Sequence, residues 1–396
     1  MDYPLDSELT EEIKEALQNN NQALAAAKIQ ELLEKENNIP LNIAITGESG
    51  SGKSTFINAF RGIDNRDEGA APTGCVETTM DVTPYPHPNY PNVTLWDLPG
   101  VGTTKFPADK YLKLVGFEKF DFFIIISDTR FRENDVKLAQ EIQKMEKKFY
   151  FVRSKIDHNI QDEKRSQRDF NAERSLQRIR ENCIQSLKKS VGSPHVFLVS
   201  SFELHLYDFY LLHETLEREL PAHQRNALLL AMPNINLEII NKKKKAFQAK
   251  IKYFATLSAA VAAVPVPGLS VAVDVALLVG VVTTYVVGFG LDIPSLQRLA
   301  RSTGVPLNDL IAIIISPLAV TKITPSLILK LLAHCASTAA LMVAEEGSRF
   351  IPIIGIPAAM GLSFVTTYRA LNMFLNMLAE DAHRVFKRAL GLNTSV

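Results

Sequence analysis

The chain has 396 residues, and its 43 Lys and Arg balance 43 Asp and Glu to a formal net charge of zero, which argues against a surface built to coat nucleic acid. A composition of 46% hydrophobic and 22% charged residues is globular, and the length suits about two domains. Cys75, Cys183 and Cys335 are scattered, with no C-x-x-C pair, which speaks against a disulfide frame or a cysteine zinc site and fits a reducing cytosol.

The N-terminal MDYPLDSELTEE lacks the apolar stretch of a secretory signal, and Asp2 stands where N-myristoylation requires glycine. Asp6 or Ser7 can cap a first helix, with Glu11, Glu12 and Glu15 near its positive end. A second helical run, Ala23–Lys35, carries apolar positions at Ile29, Leu32 and Leu33. Neither run has a full core of its own, so residues 1–38 are expected to pack on a helical domain elsewhere in the chain.

Leu41–Thr46 reads as a short apolar strand, and Thr55–Phe60 as a helix. Between them Gly47, Glu48, Ser49, Gly50, Ser51, Gly52, Lys53 and Ser54 fit G-x-x-x-x-G-K-[ST]. Consecutive backbone N–H groups must curl round a β-phosphate, which glycines permit, and the helix N-terminus adds partial positive charge. Lys53 is placed to reach the β- and γ-phosphates and the Ser54 hydroxyl to ligate Mg²⁺. The pattern marks a nucleoside triphosphate site.

From residue 39 to 220 the rhythm is strand then helix. Candidate strands are Leu41–Thr46, Asn92–Leu98, Asp121–Ser127, Phe149–Ser154 and His195–Ser200, with helix-length stretches such as Asp135–Lys148 and Asn171–Lys189 between them. Near-continuous apolar runs such as Phe122–Ile126 suit strands covered on both faces. Alternation of this kind predicts a mostly parallel sheet, with ligands beyond the carboxyl ends of its strands.

Two further motifs fall at such ends. Asp97-Leu98-Pro99-Gly100 can hold a magnesium-bound water through its carboxylate and sense a γ-phosphate through the Gly100 amide. In Ser154-Lys155-Ile156-Asp157 the aspartate can accept from guanine N1–H and the N2 amine while the lysine stem lies over the ring. Adenine offers an acceptor at N1, so Asp157 discriminates against it. Ser200-Ser201 can present amides to guanine O6. In the intervening Thr73–Thr79 a threonine should complete the Mg²⁺ shell when the third phosphate is present, and Thr78 and Thr79 compete for that role.

Together GESGSGKS, TGCVETT, DLPG, SDTRF, SKID and the helical tail after Pro221 resemble the immunity-related GTPases, an interferon-inducible family. The resemblance implies a Ras-like P-loop α/β domain over residues 39–220. It further implies an all-α domain built from both chain ends, residues 1–38 and 221–396. It also implies GTP or GDP with Mg²⁺ as ligands, and GTP-dependent dimers or oligomers through the G domain, with itself or related GTPases. Its setting would be the cytoplasm, at the periphery of intracellular or vacuolar membranes around pathogens. Lys53 resembles the branch with lysine, not methionine, in the phosphate loop. By position, Thr79 matches the family's magnesium-binding switch threonine and Glu77 its switch glutamate at a G-domain dimer interface. Ser154 departs from the family's Thr or Asn, which is expected to loosen the link between base site and phosphate loop, and Ser201 replaces a frequent Asn.

Val101 stands where many regulated GTPases carry a water-orienting glutamine. Orientation of the attacking water must then come from elsewhere, from a partner's Glu77, a ribose hydroxyl or an ordered loop. Slow hydrolysis in the monomer is the expectation, with a scarcely hydrolysing GTP/GDP-gated scaffold as the rival reading.

Past Pro221 most of the chain reads as helix. Tyr253–Val273, Val275–Leu291 and Phe350–Tyr368 are free of charge and near spanning length. Interruption by Pro265, Pro267, Gly268 and Asp274 favours buried hairpins at rest, with conditional membrane insertion as the alternative. Lys242–Lys245 can meet anionic headgroups or form a solvated face. A last helix over Leu371–Leu390 aligns Leu371, Phe374, Leu375, Leu378, Ala382, Val385 and Phe386, with Gly391 as its stop.

Overall fold

The computed structural model describes residues 7–74, 81–100, 111–191, 194–262, 269–339 and 361–392. The chain divides into two compact units, Pro40–Ile235 and the pair of segments Met1–Ile39 with Asn236–Val396.

Helices α1 (Ser7–Gln18) and α2 (Gln22–Asn37) open the chain. Ser7 is already helical. The Asn21 side chain caps α2 by accepting from the Leu24 amide. Leu9, Ile13, Leu17, Ile29, Leu32 and Leu33 are buried in one cluster with Tyr253 and Leu257 from much later in the chain.

The other unit is built on a six-stranded sheet. Its elements begin with β1 (Leu41–Gly47), α3 (Lys53–Phe60), β2 (Thr83–Pro86), β3 (Val93–Asp97) and α4 (Tyr111–Val115). Then come β4 (Phe122–Ser127), α5 (Glu133–Lys144), β5 (Lys148–Arg153), α6 (Ile156–Ser166), α7 (Ala172–Val191), β6 (Val196–Leu198), α8 (Phe209–Glu219) and α9 (Ala222–Ala231). The strand order is β2-β3-β1-β4-β5-β6. All neighbours are parallel except β2 with β3. All of β4 is buried, as a strand covered on both faces must be. From β1 the chain goes to β2 and β3 on one side of it, and from β3 it crosses back to β4 on the other. In sheets of this kind ligands bind beyond the carboxyl ends of the strands at such a reversal, here the end of β1.

Sequence reasoning anticipated the parallel strands but not β2. Pro84 and Pro86 cannot donate to a ladder, so the stretch reads as loop, yet an edge strand needs bonds on one side only. Thr83 pairs with Asp97 and Tyr85 with Leu95. The expected helix Asp135–Lys148 ends earlier, because Lys148 already belongs to β5.

The division between units falls at 235/236, later than the expected 220/221. Helix α9 belongs with the sheet, because Gln224 donates to the Pro40 carbonyl and to Asp121 Oδ1, while Asp121 Oδ2 accepts from the Asn42 amide at the start of β1. Leu228, Leu229 and Met232 are buried behind this polar tie.

The helical unit continues with α10 (Leu237–Ala262), α11 (Leu269–Gly288), α12 (Ile293–Thr303), α13 (Leu307–Ala312), α14 (Pro325–Ala339) and α15 (Gly361–Ala389). Every apolar residue expected to line the last helix is buried. The helix starts a full ten residues upstream of Leu371, and Gly391 stops it at φ +64°. Helices α10 and α15 join through the Ser258–Thr367 hydroxyl pair at 2.9 Å. The Asp381 carboxylate of α15 accepts from the amides of Ile315 and Ser316, each at 2.9 Å, and from Arg384.

The basic run is not a uniform surface. Lys243 is buried and donates to the Gly288 carbonyl at the end of α11, at 3.0 Å. Burial lowers its pKa to about 7. Lys242 lies 3.5 Å from Glu238. In α11, Val275, Leu278, Val282 and Tyr285 are buried while Ala276, Gly280, Thr283 and Thr284 face outward. That one-sided pattern is a core helix. The break at Pro265–Gly268 and residues 350–360 of the third uncharged run lie outside the described residues.

Candidate nucleotide site

The phosphate loop leaves β1 through a residue that only glycine can be. Gly47 has φ +138°, and a Cβ there would stand 2.0 Å from the Ile126 carbonyl oxygen of β4. Gly52, at φ +94°, turns the chain into α3. Between them Glu48, Ser49, Gly50 and Ser51 form the curl, with the Ser51 amide donating to the Glu48 carbonyl at 3.3 Å. Lys53 opens the helix and Thr55 follows in its first turn. Lys53 is 7% exposed, and its ammonium folds over the loop, donating to the carbonyls of Gly47 at 3.2 Å and Glu48 at 3.0 Å. A desolvated cation held there is a strong phosphate anchor.

Next to it the Ser54 hydroxyl donates to Asp97 Oδ2 at 2.8 Å. Asp97 is fully buried at the end of β3. Spending the serine proton on the carboxylate leaves hard oxygen lone pairs on both residues, the donor set a Mg²⁺ ion takes. The chemistry therefore fits Mg²⁺. Leu98 donates from its amide to the Ile45 carbonyl at 3.0 Å, which seats the DLPG turn against β1 with Gly100 buried. Glu77, Thr78, Thr79 and Val101 lie outside the described residues.

On the opposite flank, β5 delivers Ser154, Lys155 and Asp157. Ser154 Oγ is 2.6 Å from the Ser51 carbonyl oxygen. Serine at this position therefore still makes a direct bridge between the base segment and the phosphate loop, through its one proton. Lys155 adopts φ +56°, an uncommon conformation for a side-chain-bearing residue. Its ammonium spans to the Gly50 carbonyl at 2.7 Å and to Asp128 at 2.8 Å. Asp157 sits in the first turn of α6, with Oδ1 buried and no hydrogen-bond partner. A buried carboxylate oxygen of this kind is expensive until a donor meets it. Ser200 is buried, and its hydroxyl accepts from the amides of Phe202 at 3.3 Å and Glu203 at 3.2 Å, which shapes the turn carrying Ser201.

Sequence reasoning missed four supports. Asp128 holds Lys155 and stands in the quoted SDTRF run, directly after a strand end, a signal that could have found it. Arg132 pairs with the phosphate-loop Glu48 at 2.8 Å. Asp135, buried nearby, accepts from the Arg132 amide. Burial raises its pKa to about 6, Glu48 adds to the shift, and Arg132 and Lys53 oppose it. Arg153, also buried, braces the base loop from behind by donating to the Ser154 carbonyl at 2.6 Å and to Asn159 at 2.7 Å. No local pattern marks these last three.

Residues 6–389 match the profile of the family described as interferon-inducible GTPase (IIGP). The chain is 44% identical to rat interferon-inducible GTPase 5 over 96% of its own length and 82% of the relative's. It is 39% identical to mouse interferon-gamma-inducible GTPase 10 over 90% and 83%. Among solved structures, an oligomerised bacterial dynamin pair is similar over 96% of this chain and 73% of that one. Identity there is 12% and the TM-score 0.36, too slight to carry an argument.

Proposed function

The chain belongs to the interferon-inducible GTPase family, and on that footing we propose that it binds GTP beyond the carboxyl end of β1 and hydrolyses it. The observation that carries the reading is Asp157. Its buried, unpartnered Oδ1 stands two residues from Lys155, whose ammonium is drawn across to the phosphate loop. Guanine N1–H and the N2 amine would satisfy that oxygen, and adenine would leave it unpaired.

Within this reading Lys53 and the amides of residues 48–54 hold the phosphates. Ser54 and Asp97, with Thr79, would hold Mg²⁺, which neutralises phosphate charge when bound. The Gly100 amide senses the third phosphate. Val101 cannot orient water, so a second G domain offers the missing group through Glu77, and hydrolysis accelerates with protein concentration. The G-domain dimer would then assemble at intracellular membranes in cell-autonomous defence, as a cytoplasmic peripheral protein of the lysine-loop branch. The same valine favours a second reading, a slow GTP/GDP-gated scaffold.

Titrating GTP, GDP, ATP and ITP against wild type and Asp157→Ala tests the base site. Guanine preference should collapse in the variant by roughly 100-fold, and preference surviving intact would refute the reading. Specific activity that stays flat over a wide dilution series would refute activation by self-association, and single-turnover phosphate release separates hydrolysis from the scaffold.

A further inference from the structure

Between the phosphate loop and the DLPG turn lies a buried side chain that no motif includes. Tyr111, the first residue of α4, is fully buried. Its hydroxyl donates to the Pro99 carbonyl at 2.7 Å and lies 2.8 Å from Thr46 Oγ1. A phenol has one proton, and the carbonyl can only accept it. The proton between the two hydroxyls is therefore the threonine's, and the bonds run in one direction from Thr46 to Tyr111 to Pro99.

The Pro99 oxygen shares a planar peptide unit with the Gly100 amide. In a trans unit the C=O and N–H vectors are opposed, so a bond that fixes one fixes the other. Leu98 is tied to Ile45 in β1 by its own amide at 3.0 Å. The DLPG turn is thus anchored to two consecutive residues of β1, directly to Ile45 and through Tyr111 to Thr46, immediately before the phosphate loop begins. Burial also pushes the Tyr111 pKa far up, so the group stays a neutral donor throughout the working pH range.

We infer that Tyr111 is a positioning residue that aims the Gly100 N–H at the third phosphate of the bound nucleotide and so strengthens triphosphate binding relative to diphosphate binding. The inference rests on the GTP reading above. It differs from an ordinary core role, because a packing residue would affect both nucleotides alike, whereas an aimed N–H matters only when the third phosphate is there to meet it.

The test is calorimetric titration of GDP and the non-hydrolysable analogue GMPPNP, with Mg²⁺, into full-length wild type and Tyr111→Phe. The substitution removes one oxygen and keeps the ring. GMPPNP affinity should fall about tenfold while GDP affinity stays within about twofold. Equal losses for both ligands, or none for either, overturn the inference and leave the GTP reading standing. Wild-type protein that binds neither nucleotide sinks the GTP reading and this inference with it. Should Tyr111→Phe not fold, a crystal structure of the wild type with GMPPNP decides. Tyr111 bonded to Pro99 while Gly100 N meets the γ-phosphate supports the inference, and a parted Tyr111 overturns it.

Discussion

Ser154 Oγ donates to the carbonyl oxygen of Ser51 across 2.6 Å, joining residues 103 apart in the chain. One hydroxyl thereby connects the loop proposed to read the base to the loop proposed to hold the phosphates. The Ser127 carbonyl lies farther off, at 3.3 Å, and a hydroxyl has one proton to give. Ser154→Ala leaves a buried carbonyl unpaired, a loss of about 1–3 kcal/mol. Stopped-flow release of a fluorescent guanine nucleotide should quicken roughly 10-fold for GDP and GTP forms alike. Ser154→Thr should restore the wild-type rate, and a Ser154→Ala rate equal to wild type would deny the bridge any role.

The Ser54–Asp97 bond at 2.8 Å makes a separate claim on the metal. In Asp97→Asn the amide keeps the shape but loses the charge. We expect nucleotide affinity without Mg²⁺ to change little and the gain on adding Mg²⁺ to shrink at least about tenfold. Binding isotherms with Mg²⁺ and with EDTA measure both. An undiminished gain would remove Asp97 from the metal site.

In the helical unit the pH dependence of stability should trace to Lys243. Its folded pKa is about 7 against a free value near 10.5. Between those values the unfolded chain binds the extra proton, so stability rises as pH climbs from about 7 toward 10.5. Below that window the cost of the buried charge is fully present. Lys243→Met should therefore melt higher than wild type at pH 7, by about 3 °C or more, with the gap narrowing by pH 10. Calorimetry at several pH values gives the sign directly, and a constant gap would assign the effect to packing.

Asp381 stakes out the other polar feature of that core. It is fully buried and accepts from two backbone amides and from Arg384, whose Nη2 lies at 2.6 Å. Asp381→Ala leaves those donors unpaired around a cavity, and the expected loss is about 3–5 kcal/mol in urea denaturation. A loss under about 1 kcal/mol would show that water replaces the carboxylate at little cost.

Much of the candidate nucleotide site could be proposed from sequence because its pattern is local. Gly47 through Ser54 must be contiguous to curl round a phosphate, and an apolar strand before and a helix after are properties of neighbouring residues. Asp97 and Asp157 could be read for a related reason, since parallel strands of a switched sheet deliver their carboxyl ends to one edge. The final helix showed its stripe because 3.6-residue periodicity is written in the chain itself.

What stayed hidden depends on who meets whom. Pro84 and Pro86 disguise β2, because only the assembled sheet reveals that the strand has a single neighbour. Gln224 assigns α9 to the sheet through Pro40 and Asp121, residues no window of sequence brings near it. Lys243 looks identical to the lysines beside it until α11 presents the Gly288 carbonyl. Arg153, Arg132 and Tyr111 gained their places in the same way. The order of residues determined which nucleotide chemistry this chain carries, since covalent neighbours set the shape of a loop. Only the tertiary structure decided how the DLPG turn and the base segment are held, because hydrogen bonds between distant residues exist once packing has excluded water from around them.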